Sequence, residues 1–176
     1  MTIALNKPIG VVTTMHDERG RPCVGDLLEK ARSKNALLQR LSANRLFPIG
    51  RLDAQTTGLL LCTSDGELAR NLAHPSSQVA RTYRVTVAGE AAREAMRRLG
   101  ATNVTHTARG TQFEMTLTSG ANREIRRACA QQGLRVIALE RVHFGPIALG
   151  GLRPGLHRVL SDRELSELQR VVKGEN

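Results

Sequence analysis

The apolar run Leu59–Cys62, within the segment GLLLCTS at residues 58–64, constrains the fold of this chain most strongly. Four consecutive apolar residues leave no polar face, so the segment is predicted to be a buried strand. The residues just before the run place Arg51 and Asp53 in a turn bracketed by glycines. On this stretch alone, a surface ion pair and a functional role for Asp53 are both open.

Sequence patterns along the rest of the chain predict a mixture of strands and helices. Residues 81–89 alternate, with Tyr83, Val85 and Val87 on one face, as is typical of a half-buried strand. Strands are also predicted at 111–120 and 134–145, and two short strands joined by a Pro-Gly turn at 2–14. Helices are predicted within 20–41, where Asn35 would cap a second short helix, and at 65–74, 90–100, 122–133 and 161–172. Strands and helices do not alternate strictly, so we expect one α+β domain, residues 1–176, with a mixed, largely antiparallel sheet and flanking helices.

The chain is strongly basic. It has 26 lysines and arginines against 16 acidic residues, a net charge of +10, and the excess is divided equally between residues 1–88 and 89–176. Positive charge spread over a folded domain favours a polyanionic partner such as RNA, although a compositional bias towards arginine is an alternative explanation. The four aromatic residues, Phe47, Tyr83, Phe113 and Phe144, are too few for a sheet that stacks several bases.

Several classes of protein are disfavoured by the sequence. No run reaches the roughly 18 apolar residues of a membrane span, and the N-terminus lacks the pattern of a signal peptide. The cysteines, Cys23, Cys62 and Cys129, do not have the spacing of a zinc or redox site. No phosphate-binding loop or Ser/His/Asp pattern is present. We therefore expect a cytoplasmic protein without a metal site or membrane association.

The segment NREIRRAC, residues 122–129, concentrates arginines at the start of a predicted helix. With Asn122 as the N-cap, Arg123, Arg126 and Arg127 fall in the first turn and a half and share one face. Cations at this position oppose the helix macrodipole by roughly 0.3–1 kcal/mol each. The pattern favours an anionic partner, either a phosphate or a carboxylate, and a solvated basic face is the alternative.

Asp53 and Tyr83 are the candidates for chemistry and for base recognition. A nucleophilic aspartate must stay ionised while it is shielded from water, and a nearby arginine lowers the pKa of a carboxyl group. Arg51 or an arginine of the later helix could supply that charge. Tyr83, the only tyrosine in the chain, offers a flat ring for stacking on an unpaired base, although its valine neighbours are equally consistent with core packing.

Four segments together resemble the pseudouridine synthases. They are LNKPIGVV at 5–12, GRLDAQTTGLLLCTSDGELA at 50–69, RTYRV at 81–85 and NREIRRAC at 122–129, in the order and spacing of that family. The chain is most similar to the branch that modifies ribosomal RNA, which the closing segment at 141–168 also resembles. The resemblance covers nearly the whole chain, and the GRLD stretch with its apolar continuation is its most specific part.

The resemblance implies a fold and an activity. The fold would have two lobes around a catalytic cleft. A monomeric isomerase would convert a specific uridine of ribosomal RNA, with the large subunit favoured, to pseudouridine without a cofactor. Asp53 would be the catalytic aspartate, Tyr83 the stacking ring and Arg126 the basic residue that pairs with the aspartate. The resemblance does not decide whether the aspartate attacks C1′ of the ribose or removes a proton from C2′.

RNA contacts are implied for four further residues, namely Lys7, Arg51, Arg123 and Arg127. Three departures from the family concern affinity and choice of target. The catalytic segment begins within a few residues of Met1, where relatives often carry a small RNA-binding domain. The stretch between residues 85 and 122 is short, and Ala121 stands where a basic residue is common. Two alternatives remain open: an inactive RNA-binding or ribosome-assembly module of the same fold, and a tRNA-directed synthase.

Overall fold

The computed structural model describes residues 1–34, 39, 46–121 and 123–174. Its strands are β1 (Thr2–Lys7), β2 (Phe47–Pro48), β3 (Thr57–Thr63), β4 (Arg81–Val87), β5 (Thr102–Thr107), β6 (Gly110–Leu117), β7 (Val136–Phe144), β8 (Ile147–Ala148) and β9 (His157–Val159). Its helices are α1 (Val24–Lys34), α2 (Gly66–Ala73), α3 (Arg93–Arg98), α4 (Glu124–Gln131) and α5 (Asp162–Lys173), with a 3₁₀ turn at Pro75–Ser77. The predicted α+β class is confirmed.

All of these strands belong to one sheet, in the order β5-β6-β4-β7-β3-β1-β9, with β2 beside β3 and β8 beside β7. The β3–β7 pair is parallel and the other pairs are antiparallel. The parallel contact joins only Thr57 to Glu140 and Gly58 to Arg141. Gly58 has φ +99°, and a Cβ there would lie 2.3 Å from the carbonyl oxygen of Arg141. The two halves of the sheet therefore meet at a point that only glycine allows.

The apolar run of β3 is buried on both faces, as predicted. Leu59 and Leu61 belong to a core cluster that includes residues of α2 and α5. Leu60 and Cys62 point the other way, into a second cluster with α1. A third cluster forms where β4 and β6 pack against α3 and α4. The sheet thus carries two lobes, one built on β1 and β3 and the other on β4 to β7.

Some predicted elements differ from the structure. Residues 11–14 do not form a second strand, because the backbone of Val12 bonds to Pro22 and Val24 and makes only an isolated bridge with Cys23. Strand β5 was not predicted, since all six of its residues are exposed and it has no buried apolar face. The short helix predicted to begin at Asn35 lies outside the described residues.

Candidate active site

A cleft of about 510 Å³ lies where the two lobes meet. Asp53 from the loop before β3, Tyr83 from β4, Arg126 from α4 and Arg141 from β7 all line it. A second groove of about 680 Å³ follows residues 12–21 and shares Arg51, Leu52 and Asp53 with the cleft. Asp53 therefore lies between two depressions: the cleft, whose base is formed by the sheet, and the open groove at the surface.

The loop that carries Asp53 is held in place by hydrogen bonds to its backbone groups, both within the loop and from residues 10–13. The hydroxyl of Thr13 donates to the carbonyl of Leu52 at 2.7 Å and accepts from the Leu52 N–H at 3.2 Å. The N–H of Thr56 donates to the carbonyl of Asp53 at 2.9 Å, and that of Gly10 to the carbonyl of Ala54 at 2.8 Å. These bonds and the buried side chain of Leu52 fix the backbone that carries Asp53.

Helix α4 begins differently from the prediction. Its N-cap is Arg123, and Asn122, the predicted N-cap, lies outside the described residues. Arg123 has a left-handed backbone with φ +50° and makes no side-chain capping bond. A left-handed arginine carries a steric cost that glycine or asparagine would largely avoid. The packing of Ile125 and Cys129 in the third core cluster fixes the position of the helix despite this poor start.

The ion pair of Asp53 also differs from the expectation. Nη1 of Arg123 lies 3.7 Å from Oδ2 of Asp53, with both side chains about half exposed. Arg126, the expected partner, instead donates from Nη2 to the carbonyl of Gln55 at 3.0 Å. Burial lowers the pKa of Arg126, the nearby Arg123 lowers it further, and Asp53 opposes both. Arg126 thus ties α4 to the Asp53 loop without forming an ion pair with Asp53.

Tyr83 is half-buried and lies at the border of the two lobes. It packs against the second and third core clusters while it lines the cleft. Its partners across the sheet are Met115 on β6 and Arg141 on β7, and the β4–β7 register shifts between Thr82 and Tyr83. Both interpretations of this residue from sequence, stacking ring and core residue, are compatible with its position.

The prediction that Lys7 contacts RNA is wrong, because Lys7 is fully buried. Its Nζ donates to the carbonyls of Pro8 at 3.0 Å and Val11 at 2.8 Å. Burial lowers the pKa of Lys7 to about 8, and Asp53 acts in the opposite direction. Lys7 therefore supports the loop after β1 from within the core, where RNA has no access to it.

Of the other arginines proposed to bind RNA, Arg51 is exposed and lines both the cleft and the groove. Arg123 is likewise exposed at the mouth of the cleft. Arg127 is exposed but is not among the residues that line the cleft. The three helix arginines therefore do not act as one face, since only Arg123 and Arg126 turn towards Asp53.

Sequence reasoning missed two cleft arginines, Arg81 and Arg141. Arg81 donates to the carbonyls of Val79 and Thr118, each at 3.2 Å, and its guanidinium lies 5.1 Å from the centre of the Phe144 ring. Arg141 is 2% exposed and donates from Nε to the carbonyl of Leu59 at 2.7 Å. The periodicity of the strand could have indicated Arg141 from sequence. Arg141 lies two residues after Leu139, and residues two apart in a strand lie on the same face of the sheet.

Among the residues that the structure describes, no group of histidine, cysteine, aspartate and glutamate side chains could hold a metal ion. In that same part of the chain, no helix has the length and apolar character needed to span a bilayer.

Comparison with known proteins identifies the family. Residues 1–131 match the family model described as RNA pseudouridylate synthase. An uncharacterised RNA pseudouridine synthase of Mycobacterium tuberculosis is 41% identical over 97% of this chain and 69% of that protein. The chain therefore belongs to the RNA pseudouridylate synthase family, whose members isomerise uridine in RNA to pseudouridine.

Two further similarities extend this result. The ribosomal large subunit pseudouridine synthase B of Pseudomonas aeruginosa is 38% identical over 95% of this chain, which spans 45% of that relative. A solved pseudouridylate synthase superposes with a TM-score of 0.75 at 24% identity, over 95% of this chain and 73% of the other. The structural similarity confirms the fold with its mostly antiparallel sheet and flanking helices.

Proposed function

We propose that this chain converts a uridine of ribosomal RNA to pseudouridine, with Asp53 as the catalytic carboxylate. One observation carries the proposal: four separate segments bring functional side chains together in one cleft, namely Asp53, Tyr83, Arg126 and Arg141. Large-subunit RNA is the proposed substrate, because a relative at 38% identity is named a large-subunit synthase. We propose further that the protein acts as a cytoplasmic monomer.

The geometry suits a base taken out of its RNA helix. Enzymes that act on a base must first unstack it and hold it in a pocket, and Tyr83 offers a ring on the cleft floor for that purpose. Asp53 then bonds to C1′ or takes the C2′ proton. In either case the N1–C1′ bond breaks and its electron pair stays on the uracil. The base turns and C5 bonds to C1′. On the first route this displaces Asp53 from C1′, and on the second Asp53 returns the proton to C2′. The C5 proton is lost and N1 gains a proton, so the atoms balance without a co-reactant.

The arginines at the mouth of the cleft would bind the RNA and supply positive charge near Asp53. The pair between Arg123 and Asp53 is exposed and weak in the free protein, because water screens it. RNA that covers the cleft would exclude this water and strengthen the interaction. Exposed Arg51 and Arg127 would contact phosphates on either side of the target nucleotide, in keeping with the net charge of +10.

The test is the substitution Asp53→Asn, which keeps the shape of the side chain but removes its nucleophilic and basic oxygen. We expect tritium release from 5-tritiated uridine in RNA to fall by at least about 10³-fold, with RNA binding nearly unchanged. Asp162→Asn, the same exchange at an exposed position on α5, is the control and should release tritium normally. Near-normal release by the Asp53 variant would exclude the proposed mechanism, and binding without release by the wild type would indicate an inactive module.

The substrate is tested separately in cells. Pseudouridines would be mapped in the RNA of cells that lack the gene, and of the same cells supplied with the wild type or the Asp53 variant. We expect one position in large-subunit ribosomal RNA to lose its pseudouridine and to regain it with the wild type only. Loss at a tRNA position instead would support the tRNA-directed alternative.

A further inference from the structure

The guanidinium of Arg141 is a buried charge without an acidic partner. It is 2% exposed, and no carboxylate lies within ion-pair distance of it in the described part of the chain. The ionisable groups that influence it are a phenol, a second guanidinium and a thiol, those of Tyr83, Arg81 and Cys62. Burial lowers the pKa of Arg141, while the phenol acts in the opposite direction.

One N–H group of Arg141 is also without an acceptor. Nε is bonded to the carbonyl of Leu59, but Nη2 is buried with no hydrogen-bond partner. Across the residues that the structure describes, the only other buried side-chain polar atom in this condition is Nε of Arg126, which lines the same cleft. Buried polar groups are nearly always paired in native proteins, so an exception calls for a specific explanation.

Folding alone does not explain an arginine at this position. Its neighbours Leu139, Val142 and Phe144 are buried and apolar, and the guanidinium lies 5.2 Å from the centre of the Phe144 ring. Replacing a poorly compensated buried charge with an apolar residue often stabilises a protein. A requirement of the reaction would account for a charge that the fold itself disfavours.

The sheet places this charge beside the proposed stacking ring. Tyr83 and Arg141 are direct partners across the antiparallel β4–β7 pair, so their side chains lie on the same face of the sheet. The position of Arg141 along β7 is fixed on its other side by the close contact of its backbone with Gly58. A base stacked on Tyr83 would therefore have one edge next to the Arg141 guanidinium.

We propose that Arg141 supplies the buried positive charge that stabilises the uracil as it leaves the ribose. This inference rests on the function proposed above. When the N1–C1′ bond breaks, its electron pair stays on the base, which then carries a negative charge shared by N1 and the carbonyl oxygens. That charge arises whether Asp53 attacks C1′ or removes the C2′ proton, so the role of Arg141 does not depend on the route. A fixed charge in a site shielded from water is an effective stabiliser of this kind.

The first test compares Arg141→Gln with Arg141→Lys in single-turnover assays on the full chain. Loss of the charge in the glutamine variant should lower the rate by roughly 10²-fold with RNA affinity little changed, and lysine should recover at least about tenfold of this loss. Arg84→Gln is the control, because Arg84 lies on β4 next to Tyr83 but pairs with Glu140 and Glu114 outside the cleft. Thermal melts would show that each variant is folded, and Arg141→Met offers a second neutral variant if glutamine is not tolerated.

A second measurement separates a charge effect from a displaced Tyr83. Fluorine at C5 withdraws electrons and makes the uracil a better leaving group, so it needs less stabilisation from the protein. The neutral variants should therefore lose less activity on RNA that contains 5-fluorouridine than on normal RNA, when consumption of the nucleoside is followed by digestion and chromatography. An equal loss on both substrates, or a neutral variant with wild-type turnover, would overturn the inference. If the wild type itself gives no turnover, the proposed function fails instead.

Discussion

Helices α4 and α5 begin in opposite ways. At α5, Ser161 accepts from the N–H of Glu164, and the Glu164 carboxylate accepts from the N–H of Ser161 at 2.9 Å, which forms a capping box. The first turn of α5 holds acids and its last turn holds bases, as the macrodipole favours. At α4 the N-cap is the left-handed Arg123, which makes no side-chain capping bond, and Arg126 and Arg127 follow close behind it.

The difference shows that the local rules of helix capping and charge placement are broken at the helix that borders the cleft. Helix α5 has a capping box, acids in its first turn and bases in its last turn, although Arg163 also lies in the first turn, and it packs Leu168 against the core, away from the cleft. Helix α4 violates the criteria at its start and is held instead by Ile125 and Cys129 in the core and by the Arg126 bond to Gln55. Native proteins tend to break local rules at functional sites, and core packing elsewhere stabilises the result. Substitutions at the two helix starts should therefore separate into effects on activity and effects on stability.

Among substitutions at the two helix starts, the largest effect is expected at Arg126. Arg126→Ala removes the bond that ties α4 to the Asp53 loop and a positive charge near the carboxylate, so turnover should fall by about 10²-fold while RNA affinity changes much less. Arg127→Ala is the comparison on the same helix: Arg127 is exposed and does not line the cleft, so its loss should weaken RNA binding through the proposed phosphate contact and leave the single-turnover rate unchanged. Single-turnover rates and titrations with RNA decide the matter. Equal effects of the two substitutions on rate and affinity would indicate a diffuse basic face.

Substitutions at Tyr83 test whether one residue can serve both the cleft and the core, because Tyr83 lines the cleft and packs on two core clusters. If the ring stacks on the base, Tyr83→Phe should cost little stability, and Tyr83→Ala should lose roughly 1–3 kcal/mol of stacking and most of the activity. A core role predicts instead a loss of roughly 3–5 kcal/mol of folding stability, with activity falling only as the protein unfolds. Thermal melts beside single-turnover rates distinguish the two. An alanine variant that melts early yet turns over normally when folded would remove Tyr83 from the site.

The parts of the fold predicted from sequence are those that local pattern determines. The apolar run of β3, the alternation of β4 and the helix at 161–172 each depend on neighbouring residues, and each was predicted. Strand β5 was missed because its residues are exposed and no buried apolar face marks it as a strand. The start of α4 was placed one residue early because tertiary packing, rather than the sequence of the cap, sets it.

The site shows the same limit. Asp53, Tyr83 and the arginines of α4 could be selected from the sequence, but which arginine pairs with Asp53 depends on how α4 meets the loop. The burial of Lys7 could not be foreseen, because its hydrogen-bond acceptors are the backbone carbonyls of Pro8 and Val11, whose positions depend on how the loop folds. Arg141 lies in a strand whose neighbour, β4, is distant in sequence, so only the structure reveals it beside Tyr83.

A smaller effect, on stability alone, is expected at the start of α5. The bonds from Arg158 and, less strongly, Ser161 lower the pKa of Glu164 from 4.5 to about 2. Because the folded-state pKa is depressed, this stabilisation is fully present above pH 4.5 and is lost as the pH falls towards 2. Glu164→Gln should cost roughly 0.5–1 kcal/mol at neutral pH, since the pair with Arg158 is partly exposed.

The pH dependence supplies the control for this prediction. In melts at stepwise lower pH, the gap between Glu164→Gln and the wild type should close progressively between pH 4.5 and 2, because the wild-type carboxylate is protonated first in the unfolded state and only near pH 2 in the folded state. Ser161→Ala removes an uncharged cap, so its cost of roughly 1 kcal/mol should persist across this range more than that of the glutamine variant. Turnover at neutral pH should not change in either variant. A gap that stays constant with pH would exclude the ionic contribution of Glu164.

The smallest effect is expected at Arg123. Removal of this arginine from the start of α4 should change RNA binding, whereas removal of an arginine from the start of α5 should not. Arg123→Gly relieves the left-handed strain at φ +50° and gives up only an exposed ion pair, so stability should hold or rise by about 0.5 kcal/mol. RNA affinity should fall, and the slope of its logarithm against the logarithm of salt concentration should flatten by about 0.7–1, as expected for one lost phosphate contact. Arg163→Ala removes an arginine that is 89% exposed from the first turn of α5, and it should leave affinity and slope unchanged. If both variants lower the slope equally, the two helix starts do not differ in their contact with RNA. If Arg123→Gly instead destabilises the fold and binds RNA normally, Arg123 serves the structure and the contrast between the helices has another cause.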